Sequence, residues 1–263
     1  MKIALHAPFG SLNLEGGLMY LIANYLRGSG HEVAQLRCNG TFSLCDRDGE
    51  TSWKRSLDSC LKCSSEQRSL ASWGEIAVKD LSSFLTPGEI VDSRRWLLST
   101  PREQLESLSL RGISLYNLCR GSFAARFGTE TPDLNNRKHE PMTRRMLLSA
   151  ARMCLATRRF LNHFSPEVLL VAGGRDYITR SLLVQAEMQK REYVLFSMDS
   201  SQRSINIHHP REDKTLACHL LLTDVTMMRA DIKTWPPEVV SEIESVLGFL
   251  HIFQAQMSLP LAN

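Results

Sequence analysis

The residues with the most chemical potential in this sequence are four cysteines, Cys38, Cys45, Cys60 and Cys63, spaced C-x6-C-x14-C-x2-C. Two thiolates separated by two residues can bind one metal ion while the backbone between them turns around it. Two further thiolates complete a tetrahedron. Zinc and an iron–sulfur cluster both accept such a set. The segment 39–59 holds few large apolar residues, so a metal would organise what a core does not. The alternative is a chance cluster, because cysteine is commonly buried as a small apolar residue. Cys119, Cys154 and Cys218 lie in apolar patterns and are read that way.

Two glycine-containing turns are the next candidates. Gly16 and Gly17 lie in a loop between a first strand and a helix. There, backbone N–H groups at a helix start can hold an anion, or the glycines can serve chain geometry alone. The loop is not G-x-G-x-x-G, so it carries no dinucleotide fingerprint. Gly173-Gly174-Arg175-Asp176 occupies the same kind of position after a later strand. Arg175 suits an anionic group and Asp176 suits a helix cap. His208-His209-Pro210 reads as an exposed polar loop, and Asp199 as a turn residue at a strand end. A helix carrying Arg144, Arg145, Arg152, Arg158 and Arg159 presents either a solvated face or a surface for phosphate or an acidic partner.

These residues need elements to position them. Lys2–Ala7 and Glu32–Cys38 read as strands flanking a helix with Leu18, Leu21, Ile22, Tyr25 and Leu26 at helical spacing. Such a βαβ unit implies a parallel, right-handed crossover. Apolar spacing at Leu70, Trp73, Ile76, Ala77 and Leu81 predicts a helix over 65–85, broken at Thr86-Pro87-Gly88-Glu89. Pro101–Leu108 and the stretch through Leu118 and Phe123 predict further helices. Pro141 predicts the first turn of a long one that ends at Ser165-Pro166. Strands are expected over Glu167–Ala172, Glu192–Met198 and Leu216–Leu222, with helices over Tyr177–Lys190 and Glu238–Phe253. The expected fold is α/β, an open, mostly parallel Rossmann-like sheet with a cysteine-rich insertion and a C-terminal helix. Residues 1–235 form the α/β domain, and 236–263 the helix and tail.

Composition narrows the function classes. The 263 residues carry 31 Lys+Arg against 28 Asp+Glu, and 43% are apolar. A net charge of +3 argues for neither nucleic acid nor an acidic membrane as partner. No apolar run is long enough for a transmembrane helix. The first residues read as a strand and not as a secretion leader, which favours reduced thiols over disulfides.

Four features, in order, resemble GT-B glycosyltransferases of bacterial capsular-polysaccharide and surface-glycan synthesis. The chain begins with a strand, the Gly16-Gly17 loop and Gly30-His31-Glu32-Val33, then Cys38-Asn39-Gly40 and Cys45. Cys60-x-x-Cys63 precedes a helical stretch. Arg111-Gly112-Ile113-Ser114-Leu115 is similar to an element before a helix. Pro166–Val171 leads to Gly173-Gly174-Arg175, similar to a strand ending in Asn-Gly-Arg, with Gly173 where the family has Asn. The resemblance covers roughly residues 1–199. It implies one GT-B half, the acceptor side, with Gly16, Gly17, Arg175 and Asp176 at a substrate cleft and a sugar acceptor as ligand. It also implies a cytoplasmic protein at or near the inner membrane, partnered by a second GT-B half or another copy. After Asp199 only 64 residues remain, against roughly 100 for a nucleotide-binding domain. The chain alone is therefore expected to bind no nucleotide cofactor or nucleotide-sugar tightly. The rival expectations are a non-catalytic binding or scaffold protein on the same domain, and a redox- or metal-sensing module built on the cysteines.

Overall fold

A computed structural model describes residues 1–6, 14–28, 30–45, 57–199, 204–209 and 214–219. The expected closing helix over 238–253 lies outside the described residues. The described strands are β1 (Lys2–His6), β2 (Glu32–Arg37), β3 (Ala77–Asp80), β4 (Ser109–Leu110), β5 (Ile113–Ser114), β6 (Val168–Ala172), β7 (Glu192–Asp199), β8 (Ser204–His209) and β9 (Lys214–His219). The helices are α1 (Leu14–Gly28), α2 (Leu57–Trp73), α3 (Pro87–Ser99), α4 (Leu115–Phe127), α5 (His139–Phe164) and α6 (Tyr177–Met188).

The main sheet runs β3-β2-β1-β6-β7-β8-β9. Its first five strands are parallel, and β8 and β9 add antiparallel. This is the mostly parallel, Rossmann-like α/β sheet that the sequence predicts. The chain moves from β1 toward β3, then returns past β1 to β6 and β7. Right-handed crossovers in opposite directions put their helices on opposite faces. α1 and α2 cover one face, while α5 and α6 pack together on the other. Covered on both sides, β6 is buried at all five positions, Val-Leu-Leu-Val-Ala, as central parallel strands are. The core is organised by α5, whose buried positions run from Met142 to Phe164.

Several expectations change at this point. The helix predicted over 65–85 is α2, which ends at Trp73, followed by strand β3. Gly74 and Glu75 part them, Glu75 at φ 49°. Thr86-Pro87-Gly88-Glu89 does not break a helix but starts α3. Thr86 accepts from the Glu89 N–H, and Glu89 accepts from the Thr86 N–H in a reciprocal capping box. The four-cysteine segment is not set apart from the sheet as a separate unit among the described residues. It belongs to the crossover from β2 to β3, and Cys60 and Cys63 lie on α2 itself. His208 and His209 belong to β8, not to a loop.

A buried ion pair ties β2, β3 and α2 together. Arg37 and Asp80 are register partners on adjacent strands. The Arg37 guanidinium donates through Nε and Nη2 to Asp80 Oδ1 at 2.7 and 2.6 Å. Asn39 Nδ2 donates to Asp80 Oδ2 at 3.1 Å. The Arg37 side chain is only 5% exposed, so removing the carboxylate strands a buried cation. Asp80 is itself partly open to water. Asp80→Ala is therefore expected to cost about 2–3 kcal/mol in urea unfolding, below the roughly 3–5 kcal/mol of a fully buried pair. A loss under about 0.5 kcal/mol, the size of an ordinary surface change, would show that the pair does not hold this edge.

Candidate functional site

In an open α/β sheet, ligands bind at the carboxyl edge, where strand order reverses. Here that point lies between β1 and β6, which pair in parallel from Ile3↔Val168 to His6↔Val171. Three stretches distant in sequence converge around the end of β6.

The first is the turn 173–176. Gly173 and Gly174 adopt φ 87° and 144°, a region that side chains disfavour. Gly173 N–H donates to the Phe196 carbonyl of β7 at 2.8 Å. Asp176 caps α6, accepting from the N–H groups of Ile178 (3.0 Å) and Thr179 (2.9 Å). Burial pushes its carboxyl pKa up, opposed by the hydrogen bonds from Thr179 and Ile178. Arg175 is exposed beside it.

The second stretch is the hairpin β4–β5 and α4. The two turn residues Arg111 and Gly112 both have positive φ, 54° and 83°, the geometry of a tight two-residue hairpin turn. Ser114 then caps α4 by accepting from Asn117 N–H at 3.3 Å. The helix runs against the 173–177 turn so closely that a Cβ at Gly121 would stand 2.0 Å from the Arg175 carbonyl oxygen. The next residue, Ser122, accepts from the Tyr177 N–H at 3.0 Å.

The third stretch is 41–45, after β2. The buried Tyr177 hydroxyl donates to the Leu44 carbonyl, and its ring meets Phe42 edge-on at 6.0 Å between centroids. Ser43 N–H donates to Ser149 Oγ of α5 at 2.8 Å. The Cys45 carbonyl accepts from Arg126 of α4 at 3.1 Å.

The candidate residues therefore fare differently. Arg175 and Asp176 stand together at the edge, with Asp176 acting as a helix cap. Gly16 and Gly17 are not loop residues but lie within the first turn of α1. None of the four cysteines forms a disulfide among the described residues. Cys60 stands near enough to Cys38 for their charges to interact, and burial pushes the Cys38 thiol up to about 11. Cys63 lies by Tyr20 of α1, whereas Cys45 is tied to α4. Among the described residues, no group of three or more His, Cys, Asp or Glu is arranged to hold a metal ion. Cys60 and Cys63 lie three residues apart on α2, neighbours on one helix face, but no third such residue is arranged beside them among the described residues.

A residue that the sequence reading missed is His6, the last of β1. It is fully buried, and its ring has no well-formed hydrogen bond among the described residues, only a weak approach from the Leu36 backbone. Burial lowers its pKa from 6.5 to about 4, opposed by the Leu36 backbone. Only its place in an apolar strand hinted at this. A base that weak does little proton abstraction near neutrality.

No family model matches the chain, and no curated protein matches its sequence. Solved structures align with it at low identity. A CDPS from Fluoribacter dumoffii is 8% identical over 82% of this chain and 90% of that one, with TM-score 0.44. The tyrosyl-tRNA synthetase of Archaeoglobus fulgidus, complexed with L-tyrosine, is 12% identical over 72% of this chain and 50% of its own, with TM-score 0.39. A deacetylase of teicoplanin biosynthesis is 10% identical over 74% and 66%, with TM-score 0.38. None of these is a glycosyltransferase, and likenesses this distant assign no activity. None of the described helices is long and apolar enough to cross a membrane.

The His6 environment gives a pH test. The folded pKa lies below the unfolded one, so the unfolded chain binds the extra proton first as pH falls. His6 stabilises the fold fully above about pH 6.5, and that contribution is lost as pH drops toward about 4. The shift corresponds to roughly 3 kcal/mol. Urea unfolding across this window should show His6→Leu with a flatter pH dependence than the parent. Parallel curves would contradict the buried neutral imidazole.

Proposed function

We propose that this chain is an acceptor-side, GT-B-like α/β domain of the surface-glycan glycosyltransferase kind. Its ligand would sit at the carboxyl edge of the sheet, between β1 and β6. One observation carries the reading. Three stretches remote in sequence, 42–45, the helix that 111–115 leads into, and 173–177, meet beside the end of β6. Tyr177, Ser122 and Gly121 join them. In this reading Arg175 orients the acceptor glycan by hydrogen bonds to hydroxyl or carboxylate oxygens.

The same edge favours a second reading, a binding role without catalysis. Asp176 is engaged as a cap and His6 is a weak base, so neither described group suits removal of a hydroxyl proton. Catalysis would draw its base and its donor site from other residues or another chain.

The two components of the ligand are separable by calorimetry. Oligosaccharides from bacterial surface glycans are expected to bind, and Arg175→Gln should weaken them about tenfold, some 1.4 kcal/mol. UDP-, GDP- and CMP-sugars are expected to show no micromolar affinity that depends on Arg175. A nucleotide-sugar bound at micromolar concentration and lost in Arg175→Gln would make this a donor-binding domain instead. Absence of any oligosaccharide binding would remove the acceptor reading.

A further inference from the structure

A second hollow lies between α3 and α5, bordered by the segment 40–43 that follows β2. It encloses about 730 Å³, within the usual range of roughly 300–1,000 Å³ for small-molecule sites. Its lining includes four arginines, Arg94, Arg144, Arg145 and Arg152, and a single carboxylate, Glu140. That carboxylate is already paired with Arg144 one helical turn away. Arg144 also donates to the Leu97 and Thr100 carbonyls, which fastens the end of α3 to the start of α5.

Arg152 has no such carboxylate among the described residues. It donates there to neutral acceptors: Ser93 Oγ at 3.4 Å, Ser43 Oγ at 3.3 Å and the Ile90 carbonyl at 3.0 Å. These bonds aim the guanidinium without neutralising it. Arg94 stands exposed on α3, close enough that its charge, after burial, helps to lower the Arg152 pKa. Two guanidiniums that line one hollow, with no carboxylate paired to either among the described residues, repel each other. An anion seated between them would offset that repulsion. The pattern also separates these residues from the structural arginines of α5. Arg159, for comparison, is fully engaged by Glu89.

The lining selects the class of anion. Guanidinium forks suit the several oxygens of a phosphate better than a point charge does. The other wall is apolar and includes Pro141, Leu148 and Leu98, the last 66% exposed. Inorganic phosphate would leave that wall bare. A small organic phosphate would cover it with its carbon skeleton.

We propose that the hollow between α3 and α5 is a binding site for a small organic phosphate. Arg94 and Arg152 hold the phosphoryl group, and the organic part lies against Leu98 and Pro141. Phe42 and Ser43 border both sites, but different arginines carry the two readings, so they are separable.

Calorimetry at low ionic strength with glucose 1-phosphate, uridine monophosphate and inorganic phosphate tests the proposal on the full chain. At least one of the two organic phosphates should bind with submillimolar affinity, and inorganic phosphate about tenfold more weakly or worse. Whichever organic phosphate binds identifies the source as sugar phosphate or nucleotide. Binding should weaken as salt rises, since the paired charges are partly exposed. Arg94→Gln should cost at least about tenfold in affinity, while Arg175→Gln leaves it unchanged. Arg94 makes no hydrogen bond or ion pair among the described residues, so the melting temperature of ligand-free Arg94→Gln should equal or exceed that of the parent. The proposal is overturned by absence of binding, by equal affinity for inorganic phosphate, or by dependence on Arg175 in place of Arg94.

Discussion

Everything at the carboxyl edge of this sheet depends on how closely α4 approaches the turn after β6. A peptide carbonyl, that of Arg175, occupies the space a side chain at residue 121 would need. Only glycine permits the contact, and the contact in turn aligns Ser122 with the Tyr177 N–H. Tyr177 is fully buried and reaches across to Leu44 and Phe42. One steric allowance on one helix thus fixes the β6–α6 turn, the start of α6 and the segment after β2. The Arg37–Asp80 pair does comparable work for the outer strands, where the strand ends are short and half-open to solvent.

The arginines of α5 show how one charge type is divided between structure and ligand chemistry. Arg144 pairs with Glu140 of its own helix and bonds the Leu97 and Thr100 carbonyls, and Arg159 pairs with Glu89, so the two fasten α3 to α5 at both ends. Arg152, between them, is held by neutral oxygens and faces another cation. An ion pair contributes little beyond fastening on a surface. An oriented but unneutralised guanidinium retains its full attraction for an incoming anion.

Much of the frame was legible in the sequence, because periodicity reports burial. β1, α1 and β2 carried clean patterns, and the run Val-Leu-Leu-Val-Ala of β6 could only be a doubly covered strand. Asp176 was legible as a cap from its position before Tyr177. β3 was hidden because its residues continue the apolar spacing of α2, and the break rests on the backbone of Gly74-Glu75. β8 was hidden behind its histidines and the proline that follows, although Ile205 and Ile207 alternate as a strand requires. The cysteine spacing says which residues can meet, but the course of the chain decides whether they do: Cys60 and Cys63 lie on α2, Cys38 follows β2 and Cys45 is tied to α4. The site itself lay beyond sequence, since Gly121 matters through a carbonyl 54 positions away. Likewise Arg94 and Arg152 become neighbours only when α3 and α5 pack antiparallel.

The central claim is that the α4 contact at Gly121 holds the sheet edge together. Hydrogen exchange of Gly121→Ala against the parent tests it most directly. Overpacking against backbone should cost roughly 1–3 kcal/mol. The account predicts that this loss is local, with faster exchange at Tyr177 and its neighbours and at 41–45, and protection in β1, β2 and α1 unchanged. Exchange that is unaltered at Tyr177, or raised evenly through the sheet, would contradict it.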